Sequence, residues 1–203
     1  MNNIDKVCGN SKDAGEFAHR YFAYLKQVLD SIGEDDINKL VSEFEAARVS
    51  GATIFVAGNG GSATTATSMA NDIGFDIIKK TGTDKPFRVL ALTDNNSVIT
   101  AISNDVGYDN IFVNQLKIHY RQGDKLLVIS ASGNSRNLVL AAEWVKQKGG
   151  TVIGFLGFEG GRLKEISDVV LHAKSVAGEY GPVEDAHLVL NHILAHWFQC
   201  KLK

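Results

Sequence analysis

The stretch Ala52–Ser62, ATIFVAGNGGS, decides the fold. Its first half, Ala52–Ala57, is a nearly continuous apolar run rather than an alternating one, as expected of a strand buried on both faces of a parallel sheet. Its second half, Gly58-Asn59-Gly60-Gly61-Ser62, is a glycine-rich turn that opens onto Ser62–Lys79, which reads as helix. Glycines free the backbone there, and Ser62 is placed to cap the helix and to offer a hydroxyl. The unpaired N–H groups of a helix start favour an anionic ligand.

Outward from this stretch the same texture repeats. Four further apolar runs follow: Phe87–Leu92 (FRVLAL), Lys125–Ser130 (KLLVIS), Thr151–Leu156 (TVIGFL) and Asp168–Ala173 (DVVLHA). Helix-like segments Asn110–Tyr120 and Ser135–Lys148 lie between them, and a last helix runs from about Pro182 to the end. This alternation predicts an α/β fold, a doubly wound sheet with right-handed crossovers. Residues 1–50 read as two helices. Phe17, Tyr21, Tyr24, Leu25 and Val28 recur at helical spacing, and Ile37, Leu40, Val41 and Phe44 resume it after the break at Gly33–Asp36. Gly51 closes the second helix as a C-cap. No repeat, low-complexity tract or linker divides the chain, so one domain is expected over 1–203, with the α/β core over 51–203. The N-terminal helices are expected to pack on the sheet or on another subunit.

Composition narrows the function classes. With 44% apolar and 22% charged residues, the chain of 203 residues is folded rather than disordered. Its 21 basic and 23 acidic residues leave a net charge of −2, which argues against nucleic acid or a polybasic membrane contact as the main partner. No run approaches the ~20 apolar residues of a membrane span, and the N-terminus lacks the apolar core of a secretory signal. Cys8 and Cys200 form neither a disulfide framework nor a CxxC metal pair, which fits a reducing, cytoplasmic setting. Twenty glycines against two prolines point to tight turns and close backbone approach to ligands.

A second segment, Ser130-Ala131-Ser132-Gly133-Asn134-Ser135, follows the third run and again opens a helix. Three hydroxyls and a glycine at a helix start suit a phosphate. In an open α/β sheet, ligands sit beyond the carboxyl ends of the strands, where both segments fall. Taken singly, each is equally a plain strand–helix turn with an N-cap. Neither is a Walker A sequence or GxGxxG, so no nucleotide cofactor is expected.

Taken together, GNGGS (58–62), LTDNNS (92–97) and ISASGNS (129–135) resemble the sugar isomerase (SIS) domain family, most of all its phosphoheptose isomerase branch. AISNDVGYDNIF (101–112) and the Gly160-Gly161 turn extend the resemblance over nearly the whole chain. It implies a three-layer αβα sandwich around a five-stranded parallel sheet. It implies an aldose–ketose isomerase that converts sedoheptulose 7-phosphate to D-glycero-D-manno-heptose 7-phosphate through an enediol. It also implies a homotetramer with active sites at subunit interfaces. Residue by residue, it places Ser130, Ser132 and Ser135 on the phosphate, and Asn59, Gly60, Ser62 and Asp94 on the sugar chain.

Isomerisation of this kind needs a base at one carbon and an acid or a metal at the developing oxyanion. The family's glutamate, ten residues after the serine of GNGGS, is Asp72 here, and its histidine four residues earlier is Ser68. Its glutamine and the histidine eight residues beyond are Glu184 and His192. The resemblance makes Asp72 the base, His192 its acid/base partner and Glu184 a contact to sugar or metal. These four positions bind zinc in several members. The set here, Asp72, Glu184 and His192 without the second histidine, is an oxygen-rich candidate for zinc. The family's arginine shortly after the glutamate is replaced by Asp76, and the acidic residue and arginine before the glutamine by Gly181-Pro182-Val183. On bland readings Asp72 is a surface carboxylate and His192 a core histidine. His187 and His196 read as structural or interfacial, and Trp144 and Trp197 as core or subunit contacts. The rival function is a non-catalytic SIS module that binds a sugar phosphate or a partner protein, as replication-initiator-associating members do.

Overall fold

A computed structural model describes residues 2–203. In chain order its elements are α1 (Asn3–Gly9), α2 (Ala14–Asp30), α3 (Glu34–Ser50), β1 (Thr53–Gly58), α4 (Gly61–Met69), α5 (Asp76–Thr81), β2 (Arg88–Ala91), α6 (Asn96–Val106), α7 (Ile111–His119), β3 (Lys125–Ser130), α8 (Arg136–Gln147), β4 (Thr151–Phe158), α9 (Gly161–Ile166), β5 (Val169–Lys174) and α10 (Tyr180–Lys201). The five strands are all parallel and stand in the order β2-β1-β3-β4-β5. The chain builds outward from β1 in one direction, then crosses back and continues in the other. The carboxyl ends of β1 and β3 therefore flank a switch point, the place where such sheets bind ligands.

Alternate residues of each strand face opposite sides, and both sides are covered. Ile54, Val56, Leu127, Ile129, Ile153, Phe155 and Leu171 meet a core supplied by α2 to α5 and α10. Phe55, Ala57, Leu126, Val128, Val152 and Leu156 meet one supplied mainly by α7 and α8, with α6 and α9 at its margin. This double burial is why the central strands read as continuous apolar runs. The run Phe87–Leu92 departs from that expectation, because β2 is the edge of the sheet and leaves Leu90 half exposed.

Three helices were not legible as such. The seven-residue α1 precedes the two expected at the N-terminus, and α6 and the six-residue α9 fill segments expected only as motif and turn. Neither α1 nor α6 has a fully buried residue and α9 buries only Leu163, although α6 turns Ile99 and Ile102 onto the second core. The segment Ser62–Lys79, expected as one helix, is broken by a π-helical turn over Ala70–Phe75.

The N-terminal helices pack onto the start of α10. The Tyr21 hydroxyl donates to Asp185 Oδ2 at 2.5 Å, and the Tyr24 hydroxyl and Asn3 N–H both donate to the buried Glu179 carboxylate. Burial first, and then these carboxylates, push both phenols above their ordinary range. Among the described residues no helix is long and apolar enough to cross a membrane.

Candidate functional site

The two glycine- and serine-rich loops meet at the switch point. Asn59 and Ser62 from the loop after β1, and Ser130, Ser132 and Ser135 from the loop after β3, line one cavity of about 140 Å³ together with Tyr180 and Glu184 of α10. The second loop is stiff. Gly133 N–H donates to Ser130 Oγ at 3.0 Å, and Gly133 sits at φ +67. A Cβ on Gly133 would lie 1.8 Å from Gly160 O, so the position admits glycine alone. The turn after β4 presses on this loop, with Leu163 N–H donating to Gly133 O and Arg162 N–H to Asn134 Oδ1, both at 2.9 Å. Ser135 stands at the N-cap of α8, yet its side chain caps no N–H and stays available to a ligand. No lysine or arginine lines the cavity. An anion placed there would meet hydroxyls, backbone N–H groups and the positive end of α8.

A reciprocal amide pair ties the two loops together. Asn59 Nδ2 donates to Asn137 Oδ1 at 3.0 Å and Asn137 Nδ2 donates to Asn59 Oδ1 at 2.9 Å. The Tyr108 hydroxyl adds a bond to Asn59 Oδ1 at 2.8 Å. Neither Asn137 nor Tyr108 was singled out from the sequence. An asparagine in the first turn of an apolar helix, as in RNLVLAA (136–142), is the one trace of this role. Replacing Asn137 by alanine removes both amide bonds and leaves the half-buried Asn59 only its bond from Tyr108, a net loss of about 1–2 kcal/mol. We expect N137A to raise KM for a phosphorylated substrate about tenfold, with a smaller change in kcat, as read by steady-state kinetics.

Asp72 and His192 come together within one protomer. The π-helical turn carries Asp72 against α10, and His192 Nε2 stands 3.8 Å from Asp72 Oδ2. That is ion-pair range but too long for a hydrogen bond. The Asp72 side chain is 21% exposed and that of His192 54%, so the pair opens to one side. Asp72 Oδ1 accepts from Asn71 Nδ2 at 2.9 Å and Oδ2 from Asn191 Nδ2 at 2.6 Å. π-Turns of this kind gather at functional sites because the extra residue re-aims a side chain. Glu184 lies apart from this pair, its carboxylate resting over Gly61, where a Cβ would sit 2.4 Å from Glu184 Cδ. Asp94 Oδ1 accepts from Thr67 Oγ1 at 2.6 Å and lines a neighbouring cavity of about 590 Å³, not the serine cavity. Gly60 forms the exposed shoulder of the first loop, at φ +54.

The family model of the SIS domain matches residues 17–157, more than half of the chain. The chain belongs to the SIS domain family. It is 36% identical over 144 residues to a phosphoheptose isomerase of Rhodospirillum rubrum, covering 71% of this chain and 74% of that one. It is 36% identical over 186 residues to phosphoheptose isomerase 2 of Campylobacter jejuni, covering 91% and 90%. The solved structure of a phosphoheptose isomerase from Neisseria gonorrhoeae superposes with a TM-score of 0.79 at 26% identity, over 93% of this chain and all of that one. The fold expected from the resemblance, five parallel strands between helical layers, is the fold observed.

The metal set of the SIS resemblance fits this chain poorly. Among the described residues no three His, Cys, Asp or Glu side chains are gathered to hold one ion. The expected trio Asp72, Glu184 and His192 is thus reduced to the Asp72–His192 pair. Asp72 Oδ2 accepts from Asn191, and Glu184 lines the serine cavity instead. Asp76, where the family has an arginine, faces Lys79 at 4.0 Å. His187 is wholly buried beside Phe155, with a ring-centroid distance of 5.9 Å. Trp144 packs edge-on against Tyr120 beside the second core, whereas His196 and Trp197 lie exposed on α10.

Proposed function

We propose that this isomerase of sugar phosphates converts sedoheptulose 7-phosphate to D-glycero-D-manno-heptose 7-phosphate, with Asp72 as base and His192 as its acid/base partner. The observation that carries the reading is the spacing along α10. Glu184 sits in the serine cavity, and His192 follows it by eight residues, about 12 Å at 1.5 Å per residue. A sugar anchored by its phosphate among Ser130, Ser132 and Ser135 must be long and extended to bring its carbonyl end to Asp72 and His192, and a triose phosphate falls short. Asn59 and Ser62 in the serine cavity, with Gly60 on its shoulder, would contact its hydroxyls, and Asp94 would do so from the neighbouring cavity. Asp72 takes a proton from C1 of the ketose while His192 protonates the C2 oxygen, which gives the enediol. Return of the proton to C2 and loss of the C1 hydroxyl proton complete the aldose.

No step is assigned to zinc, because within one chain the donors are not gathered for it. The test is to dialyse the purified chain against a chelator, supply sedoheptulose 7-phosphate and follow aldose formation. Turnover little changed by the chelator is expected. No turnover across a panel of ketose phosphates, with or without zinc, overturns the reading. The second reading, a non-catalytic SIS module, draws on the Glu184 carboxylate in the anion cavity, and tight binding without turnover in the same assay favours it. The proposed assembly is a homotetramer. Ile193 and Trp197, four residues apart, lie exposed on one side of α10, an apolar pair that a neighbouring subunit would cover. Sedimentation equilibrium reads the state directly, and a monomer overturns it.

A further inference from the structure

We propose that Asn191 is a positioning residue, holding the Asp72 carboxylate at the angle from which it takes the substrate proton. The inference rests on the reading of Asp72 as the base. Asn191 is 0% exposed and stands in the inner face of α10, where its neighbours are Ala186, Leu190, Leu194, Ala195 and Phe198. A buried asparagine among such residues needs a reason, because its polar atoms must be satisfied or they cost stability. One of them is not satisfied: Asn191 Oδ1 has no hydrogen-bond partner. A leucine would fill the same space without that penalty. What the amide gains in exchange is a single bond, Nδ2 to Asp72 Oδ2 at 2.6 Å.

The chemistry fixes which end of the amide faces Asp72. Turning it over would set Oδ1 against a carboxylate oxygen, two acceptors with no proton between them. A carboxylate oxygen has two lone-pair sites, so the bond from Asn191 leaves one on Oδ2 for the open side, where His192 stands at 3.8 Å. The other donor, Asn71, is an exposed neighbour on the same turn and gives Oδ1 little rigidity. Asn191 instead reaches Asp72 from a separate helix of 22 residues that is anchored in the core. An aspartate, one methylene shorter than a glutamate, projects less far from the π-helical turn, and the amide of Asn191 meets it there.

The test compares the wild-type chain with Asn191→Leu, Asp72→Ala and the double variant, on the sugar phosphate that the wild type turns over best. Misplacing a reacting group by about 1 Å costs up to about a hundredfold in rate. We expect N191L to lower kcat about tenfold to a hundredfold with KM nearly unchanged. In the D72A background the same substitution should cost nothing more, since the group it serves is gone. A merely structural Asn191 would raise KM or lower the melting temperature, and would add its cost in both backgrounds. The side-chain amide of Asn191 gives a readout free of activity: by ¹⁵N–¹H NMR its bonded proton should lie downfield in the wild type and move upfield in D72A. Wild-type kcat in N191L, or an amide signal indifferent to D72A, overturns the proposal alone. A wild-type chain that turns over no sugar phosphate overturns the base reading and this proposal with it, while an amide shift would then mark the contact as structural only.

Discussion

Asp72→Asn is expected to lower kcat by about two to four orders of magnitude, the range that a positioned acid or base contributes, while KM changes little. The reason is local. The substitution keeps the size and shape of the side chain and removes only its ability to take a proton. Its new Nδ2 would face the Asn191 donor, but Asn191 carries an unpartnered Oδ1 and can turn over to accept from it. Folding should therefore survive, and a near-UV spectrum and melting temperature like those of the wild type will show that the loss is chemical. The serine cavity is lined by the loops after β1 and β3 and by Tyr180 and Glu184 of α10, not by Asp72, so binding of a phosphorylated substrate there should persist. His192→Gln should cost less than D72N, since water can replace an acid at a side chain that is 54% exposed more readily than a base fixed against α10. A D72N enzyme with wild-type turnover would remove Asp72 from the mechanism, and Glu184 would be the carboxylate to test next.

How far the sequence disclosed this site depends on what kind of signal each part leaves. The strands were legible because both faces of the sheet are buried, so that Lys125–Ser130 reads as one apolar run and is β3 to the residue. The two loops at the switch point were legible because glycine and serine cluster where a strand meets a helix. The π-helical turn over Ala70–Phe75 was not, since one additional residue in a helix barely disturbs the apolar spacing, although it decides where Asp72 points. The buried amides were not legible either. Asn137 looks like an ordinary first-turn residue and Asn191 like a surface position, because polarity in a sequence is normally read as exposure. In hindsight the trace of Asn191 is its phase: it stands in the stripe Leu190, Leu194, Ala195 and Phe198, whereas His192 stands off it. The resemblance carried the register of Asp72, Glu184 and His192. Whether three of these donors converge on one ion is a question of side-chain geometry, which spacing alone does not state.

Acid should destabilise this protein through His187, by about 3 kcal/mol between pH 6.5 and pH 4. The ring is wholly buried on the inner face of α10, against Phe155, and neither nitrogen makes a hydrogen bond. The Leu156 backbone nearby favours the charged ring slightly, but burial wins and holds its pKa down to about 4, from 6.5 in the unfolded chain. The unfolded state thus takes up the proton first as pH falls. Stability from this group is complete above pH 6.5, declines through the window and is lost below about pH 4, where both states are protonated. Urea unfolding at a series of pH values measures the slope, and His187→Leu isolates it. In H187L the carboxylate contributions near pH 4 remain, but the loss between pH 6.5 and 5 should vanish, and stability at neutral pH should hold or rise because two orphaned ring nitrogens leave the core. The site would feel the later protonation, that of the native ring near pH 4. His187 lies one helical turn before Asn191 on the inner face of α10, so a proton forced onto the ring loosens the part of the helix that carries both Asn191 and His192. Activity of the folded enzyme should therefore fall by this route only as pH nears 4 in the wild type, and less steeply in H187L. An acid limb identical in the two proteins would assign the loss to the reacting groups instead.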